Sequence, residues 1–446
     1  MMRIIFPASA YTDMTAALLL SEKETCAILL ASPPVMNSEQ PSFLVREVHP
    51  APETVYEIRT ETRAQLRPEF LVSLVQRARR EQLSVIFVHS HPFAEGTPSF
   101  SPIDNEGEKH LAAFLSRRVA DIQHAALVVG PDGCYGRRLG LLESVAVLQL
   151  GGKVELLFDP SETFGLDERW DRQVRAFGPK GQAAVQRARV VIVGVGGTGS
   201  VAAQQLAHLG VSDFVLIDHD IVDETNLNRL VGATPLDVGK PKTNAVTRLI
   251  QGINPQATVK GIRRDVTDVD VAEMLIGRDA IFGCTDSHAS RAILNQLAYQ
   301  YYVPLFDVGV GIVVTRGVVT HVSGRVQMAA PGLACLVCGG VIDPVAVRRE
   351  LQSPIQRAAD PYITGQNEPQ PAVISLNSTV ASLAVTMFMT AFTPVPGEAR
   401  LQYYNGIAGV VRAAMVQADP SCVVCSRSGA LGLGNKWPLP GRERPR

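Results

Sequence analysis

The sequence is short of net charge. Its 446 residues carry 42 lysines and arginines against 43 aspartates and glutamates, a formal net charge of -1. No global field therefore draws the chain to nucleic acid or to an anionic membrane surface, and any partner has to be recognised locally. The first twenty residues lack the basic start, apolar centre and small-residue cleavage site of a secretory leader, which leaves the cytoplasm as the expected compartment. Long hydrophobic runs are missing with one exception. Pro371 to Pro394 is uncharged and contains AVISLNSTVASLAVTMFMTAF, long enough to raise the question of a membrane span. Its Ser, Asn and Thr residues and its polar flanks predict a buried helix and no membrane. No internal repeat is visible. Cysteine is scarce as well: there are seven, an odd number, and four fall into two C-x-x-C pairs, Cys335 with Cys338 and Cys422 with Cys425. In a cytosolic chain that spacing points to tetrahedral structural zinc, with a redox pair as the alternative.

At this length two or three domains are expected, and 46% hydrophobic with 19% charged residues describes a folded chain. Residues 1–158 alternate short apolar runs with polar segments. TCAILLAS, FLVREV, LSVIFVHS, AALVVG and AVLQLGG predict strands and 68–82 a helix, a mixed α/β domain with strands outside that helix. The polar stretch DPSETFGLDERWDRQ marks the boundary. From 159 to 432 the order is strand (RVVIV), glycine turn, helix (AAQQLAHLG) and strand (FVLIDHD). This is one βαβ unit of a Rossmann-like, doubly wound parallel sheet, continued by the helical LDVGKPKTNAVTRLIQGINP and the strand DAIFGCTD. Residues 433–446 show no apolar periodicity and are expected to be a disordered tail.

HSHPFAEGTPSFSPID, residues 89 to 104, ends the apolar run SVIFV. His89 and His91 share strand parity and would point to one face, and Asp104 could return across the Pro-rich turn as a third zinc ligand, leaving one position open. Spacing alone leaves open a second reading, a polar strand end followed by a helix that Ser101 caps. The segment resembles the JAMM (MPN-plus) metalloprotease signature, H-x-H, about ten residues, then S-x-x-D. That family also has an upstream glutamate, commonly in the setting E-x-C-G, and KETCAILLAS supplies Glu24 and Cys26, with Ala27 where glycine is usual. The resemblance implies amide hydrolysis, with catalytic zinc on His89, His91 and Asp104, Glu24 as the proton shuttle and Ser101 as an oxyanion donor. Glu22 shares the strand parity of Glu24 and competes for its role.

Gly194, Gly196, Gly197 and Gly199 form a turn directly after a strand and before a helix, where bare amides can meet phosphate, and Asp218 ends the next strand. Alone this is a dinucleotide fingerprint, and an NAD-dependent oxidoreductase is the first reading. Asn226, Arg229, Lys242 and Asp286 follow, however, and added phosphate cations with a magnesium-type carboxylate suit an enzyme that splits ATP at its α-phosphate. Residues 165 to 430 resemble the ThiF-type adenylyltransferase superfamily, related to ubiquitin-activating enzymes. RWDRQ stands for R-Y-x-R-Q, GVGGTGS for G-x-G-G-x-G-S, and DHDIVDETNLNR for D-x-D-x-V-x-x-S-N-L-x-R, with GKPK, INP and CTD in order. The resemblance implies that Asp218 binds ribose, Arg229 and Lys242 grip the triphosphate and Asp286 holds magnesium. Arg172 would reach in as an arginine finger from the neighbouring subunit of a homodimer. Asn226 and Asn228 are more ambiguous, since asparagine at such turns often caps backbone.

Some members of that superfamily carry a catalytic cysteine after the first zinc pair. Here none lies between Cys338 and Cys422, and the stretch RELQSPIQRAADPYITGQNEPQ reads as a crossover loop without a nucleophile. The expectation is adenylation without a stable enzyme thioester. The partner would be a ubiquitin-like or sulfur-carrier protein, with a conjugating enzyme or sulfurtransferase downstream. A non-catalytic scaffold for ubiquitin-like tails is a third class.

Overall fold

The computed structural model describes residues 1–160, 167–352 and 371–442. Most of the expected crossover loop, from 353 to 370, lies outside the described residues. The chain divides into two compact units. One is Met1–Thr163 with Gln300–Tyr302 and Ala430–Trp437; the other is Phe164–Tyr299, Val303–Gly429 and Pro438–Arg446.

In the first unit the elements run β1 (Arg3–Pro7), α1 (Ala8–Leu18), β2 (Cys26–Ser32), β3 (Ser42–Pro50), β4 (Tyr56–Arg59), β5 (Ala64–Leu66), α2 (Pro68–Arg80) and β6 (Ser84–Ser90). After these come α3 (Pro102–Arg118), β7 (Ala125–Gly130), β8 (Gly133–Arg138), β9 (Ser144–Leu150) and β10 (Val154–Phe158). Eight strands form one sheet in the order β1-β3-β2-β6-β7-β8-β9-β10, and β1 also pairs with β9, so the sheet closes on itself. The apolar runs dictate this, because the central strands β2, β6 and β7 are buried on both faces. In β2, Ala27, Leu29 and Ala31 join one core with Phe6, Met14 and Leu127, while Ile28 and Leu30 join another with Val75, Val85 and Leu115 beneath α2 and α3. Strands were expected outside 68–82, and α1 and α3 correct that. The first two turns of α3 are polar apart from Ile103, so no apolar period announces them; the start is set by Ser101 as cap and Pro102 in the first turn.

The second unit contains α4 (Asp171–Arg187), β11 (Arg189–Val193), α5 (Gly197–Leu209), β12 (Asp213–Ile217), α6 (Lys242–Ile253), β13 (Thr258–Ile262), α7 (Val269–Ala272) and β14 (Ala280–Gly283). It continues with α8 (His288–Gln300, whose last residue belongs to the first unit), β15 (Leu305–Thr315), β16 (Val318–Ala329), α9 (Pro344–Leu351), α10 (Ile374–Phe392), β17 (Leu401–Asn405) and β18 (Val410–Ala413). Its sheet runs β13-β12-β11-β14-β15-β16-β17-β18, parallel through β15 and antiparallel beyond. Strand order reverses at β11, between β12 and β14, and in doubly wound sheets that is where ligands bind. The long apolar segment is α10. By length and composition it could cross a membrane, but it packs on α5, β15 and β16, with Phe388 closing on Phe282 and Phe306 at ring distances of 5.8 Å. Residues from 433 onward depart from the expected tail. Gly434–Lys436 is a 3-10 turn, Leu439 is buried, and Arg442 pairs with Asp265 at 2.7 Å. Isolated apolar and cationic anchors, without periodicity, hold this segment; residues 443–446 lie outside the described ones.

Candidate metal centre and nucleotide cradle

His89 lies on β6, and His91 follows it, its N–H donating to the Val129 carbonyl at 2.8 Å. Extended backbone through both residues turns the rings to one side. Asp104 arrives on the first turn of α3. Ser101 Oγ accepts the Asp104 N–H at 3.2 Å and the Asp104 carboxylate accepts the Ser101 N–H at 2.6 Å, a reciprocal cap that fixes where the acid points. The three side chains meet. His89 Nε2 is 3.2 Å from His91 Nε2 and 3.3 Å from Asp104 Oδ1, and His91 Nε2 is 3.5 Å from Asp104 Oδ2. A tetrahedral zinc with ligand bonds of about 2.05 Å has ligand-to-ligand edges of about 3.3 Å, so this donor set fits the ion. Burial works to raise the Asp104 carboxyl, but hydrogen bonds from His89 and His91 outweigh it and hold the acid well below the usual carboxylate range.

Glu24 precedes β2 and is buried, its Oε1 3.6 Å from His91 Nε2, whereas Glu22 is exposed. The hairpin of β4 and β5 fixes its backbone: Glu24 N–H donates to the Thr60 carbonyl at 2.8 Å, and Arg59 Nε donates to the Glu24 carbonyl at 3.2 Å. Burial pushes the Glu24 carboxyl up, with the two imidazoles opposing. Ser101 caps α3 through an oxygen lone pair, and that contact leaves its hydroxyl proton free to be donated.

In the second unit the glycine turn sits between β11 and α5. Gly194 has φ +83°, and a Cβ there would meet the Cys284 carbonyl oxygen at 2.6 Å; one on Gly199 would fall 1.9 Å from the Gly194 oxygen. Around Gly196 there is open space. Asp218 is buried at the end of β12, its Oδ2 accepting the Val195 N–H at 2.8 Å and its Oδ1 the Asp220 N–H at 2.9 Å. One carboxylate thus ties the turn to the loop after β12, and burial raises its pKa. Arg229 lies against the turn, with its Cδ 3.4 Å from where a Gly197 Cβ would stand and its Nη1 donating to the Thr225 carbonyl at 2.6 Å.

The other expected cradle residues differ in their local partners. Lys242 Nζ pairs with Asp220 Oδ2 at 2.7 Å, so a triphosphate would have to compete with that acid. Asn226 Oδ1 accepts the Asp223 N–H at 3.1 Å; it is a local backbone cap, because a short polar side chain at a turn satisfies the nearest amide. Asp286 is exposed after β14, and its backbone carbonyl accepts from Arg291 Nη1 at 3.5 Å. Arg172 is exposed on α4 and makes no hydrogen bond or ion pair to these residues. Two residues escaped the sequence reading. Asn377, buried on α10, places its Nδ2 2.3 Å from where a Gly197 Cβ would be, and fully buried Asp307 is held by Arg291 (3.4 Å) and Arg325. No spacing signals either, since Asn377 reaches the turn from a distant part of the chain. A cavity of about 310 Å³ opens beside Arg291 and Arg325, lined also by Gly309, Gly311, Gly324 and Tyr403 among others.

Cys335, Cys338, Cys422 and Cys425 converge, with Sγ separations of 3.7, 3.6 and 3.6 Å for 335–338, 335–422 and 338–425. Zinc bonds to sulfur of about 2.3 Å imply edges of about 3.8 Å, so the tetrathiolate set also fits. Of the remaining three thiols, that of Cys284 is half-buried beside the glycine turn. Cys26 and Cys134 are buried, and burial pushes Cys134 and Cys284 up to about 12.

A family model described as the ThiF family matches residues 170–424. Among curated proteins, the SAMP-activating enzyme E1 of Haloferax volcanii is 28% identical over 255 residues, 56% of this chain and 85% of that protein. The molybdopterin-synthase adenylyltransferase of Salmonella typhimurium is 35% identical over 31% of this chain and 57% of its own length. Ubiquitin-like modifier-activating enzyme 5 of Oryza sativa subsp. japonica is 32% identical over 33% of this chain and 37% of its own length.

Proposed function

Because the chain belongs to the ThiF family, we propose that it adenylates the C-terminal carboxylate of a ubiquitin-like or sulfur-carrier protein, and that its first unit is a JAMM-type zinc peptidase working on the same kind of tail. The observation that carries the adenylation reading is the glycine turn tied to Asp218 Oδ2 through the Val195 N–H at 2.8 Å, with Arg229 against it. In this reading a carboxylate oxygen of the carrier attacks the α-phosphorus of ATP, the bond to pyrophosphate breaks, and Arg229 and Lys242 draw off the developing charge. Lys242 leaves Asp220 as the triphosphate arrives. Asp218 holds ribose, Asp286 a magnesium ion, and Arg172 comes from the second subunit of a homodimer. The glycine-lined cavity next to Arg291 suits an extended tail with little side chain.

In the first unit, zinc on His89, His91 and Asp104 would supply Lewis acidity for amide hydrolysis. Glu24, dry and within reach of His91, takes the proton of the attacking water and passes it to the leaving amine; Ser101 donates to the oxyanion. With the thiols of Cys134 and Cys284 held protonated by burial, the adenylate goes directly to a sulfur donor, a conjugating enzyme or an amine in the cytoplasm. Family membership and the paired cations argue against the oxidoreductase reading, and intact ligand sets argue against a bare scaffold. The test is ATP–pyrophosphate exchange with ubiquitin-like and sulfur-carrier proteins ending in glycine. Exchange should appear with a cognate carrier and vanish in Arg229→Ala; no exchange with any carrier, alongside NAD binding in preference to ATP, would overturn the reading.

A further inference from the structure

Arg137 on β8 and Glu108 on α3 are a buried ion pair, 5% and 6% exposed. Arg137 Nε donates to both Glu108 oxygens at 3.1 and 3.2 Å, and Nη2 donates to Glu108 Oε1 at 2.8 Å and to Asn105 Oδ1 at 2.7 Å. The guanidinium carbon also lies 3.6 Å from the centre of the Phe100 ring, and that ring stands edge-on to His89 at 5.6 Å. Every one of these partners belongs to a segment that carries a member of the His89, His91 and Asp104 set or packs on one. Asn105 and Glu108 follow Asp104 on α3, Phe100 precedes the cap Ser101, and β8 is two strands from β6.

Buried ion pairs are weak evidence for stability, since apolar pairs of similar volume often serve as well. The geometry here answers a different need. Histidines that bind metal usually have their second ring nitrogen held by a hydrogen bond, which orients the ring. His89 Nδ1 is buried with no hydrogen-bond partner among the described residues. Packing must hold that ring, and the aromatic edge that does so is itself clamped by Arg137. We propose that Arg137 and Glu108 are positioning residues for the metal centre: one guanidinium fixes the helix bearing Asp104 and the ring backing His89 at the same time. This rests on the reading of His89, His91 and Asp104 as a zinc site.

The test is zinc titration of the full chain against a competing chelator, with occupancy of the tetrathiolate site as internal reference. The proteins are wild type, His89→Ala, Arg137→Lys, Glu108→Gln and the apolar pair Arg137→Met with Glu108→Leu. The expected result is ~10–100-fold weaker zinc binding at the triad in all three Arg137 and Glu108 variants, with the tetrathiolate site unchanged. The apolar pair should keep the wild-type melting temperature without metal and still bind zinc weakly, which a merely structural role would not produce. If the apolar pair does not fold, the two single variants decide. A folded variant of the pair with triad affinity within about twofold of wild type overturns the inference. Identical titrations of wild type and His89→Ala would instead sink the zinc reading, and the inference with it.

Discussion

At the scale of single residues, the glycine turn separates steric necessity from room for ligand. A Cβ on Gly199 would stand 1.9 Å from the Gly194 oxygen, backbone that cannot move without unseating α5 from β11. Gly199→Ala is therefore expected to cost about 1–3 kcal/mol or more of stability and to abolish measurable ATP binding, checked by urea unfolding and nucleotide titration. Gly196→Ala is the opposite case. Nothing lies within 4 Å of its Cβ position, so stability should stay within about 0.5 kcal/mol while ATP affinity falls at least ~10-fold as the methyl enters phosphate space. Equal loss of stability in the two variants would contradict this division. The glycines were legible because their chemistry is local: strand, turn and helix are contiguous in the chain. Lys242 was half legible. Its type and place were visible, but the acid it pairs with, Asp220, could only be found once β12 and the start of α6 stood side by side.

At the scale of elements, β6 and β7 show what strand pairing adds to the sequence pattern. Their parallel pairing begins at Ile86 against Ala125, and just before it the Val85 N–H donates to His124 Nδ1 at 3.0 Å. That bond needs a bare ring nitrogen, and burial lowers the His124 pKa to about 4 from the ordinary 6.5. A histidine depressed in the native state gains its proton first in the unfolded chain. Its stabilising contribution is therefore complete above about pH 6.5 and is lost as pH falls toward 4, ~2 kcal/mol of it by pH 5. His124→Asn keeps an acceptor that does not titrate, so between pH 7.5 and pH 5 the variant should lose ~2 kcal/mol less than wild type in urea unfolding; parallel losses would refute the assignment. The same elements explain what could be read beforehand. His89 and His91 were legible through strand parity, and Asp104 through its place beyond the Pro-rich turn. The polar opening of α3 hid its length, and Arg137, which meets Glu108 only because β8 folds back beside α3, left no trace in any local spacing.

At the scale of the whole molecule, two donor sets of different chemistry predict a simple metal count. Zinc analysis should give two ions per chain, falling to one in Asp104→Ala and to one in Cys425→Ser, because nitrogen-oxygen and tetrathiolate sets share no ligand. The two proposed reactions are then ordered by their chemistry and not by their place in the chain. Amide hydrolysis releases a carboxylate, and adenylation consumes one, so the product of the first step is the substrate of the second. A carrier with extra residues beyond its terminal glycine presents the wrong carboxylate until those residues are removed. With such an extended carrier, wild-type protein should show ATP–pyrophosphate exchange after a lag, while Asp104→Ala should show none. With a carrier already ending in glycine, both should exchange at similar rates from the start. Mass spectrometry of the carrier during the lag tests the order directly, because the shortened species must precede any pyrophosphate exchange. Exchange on the extended carrier by Asp104→Ala, at the wild-type rate and without shortening, would break the link between the two chemistries and leave the adenylating unit to act alone.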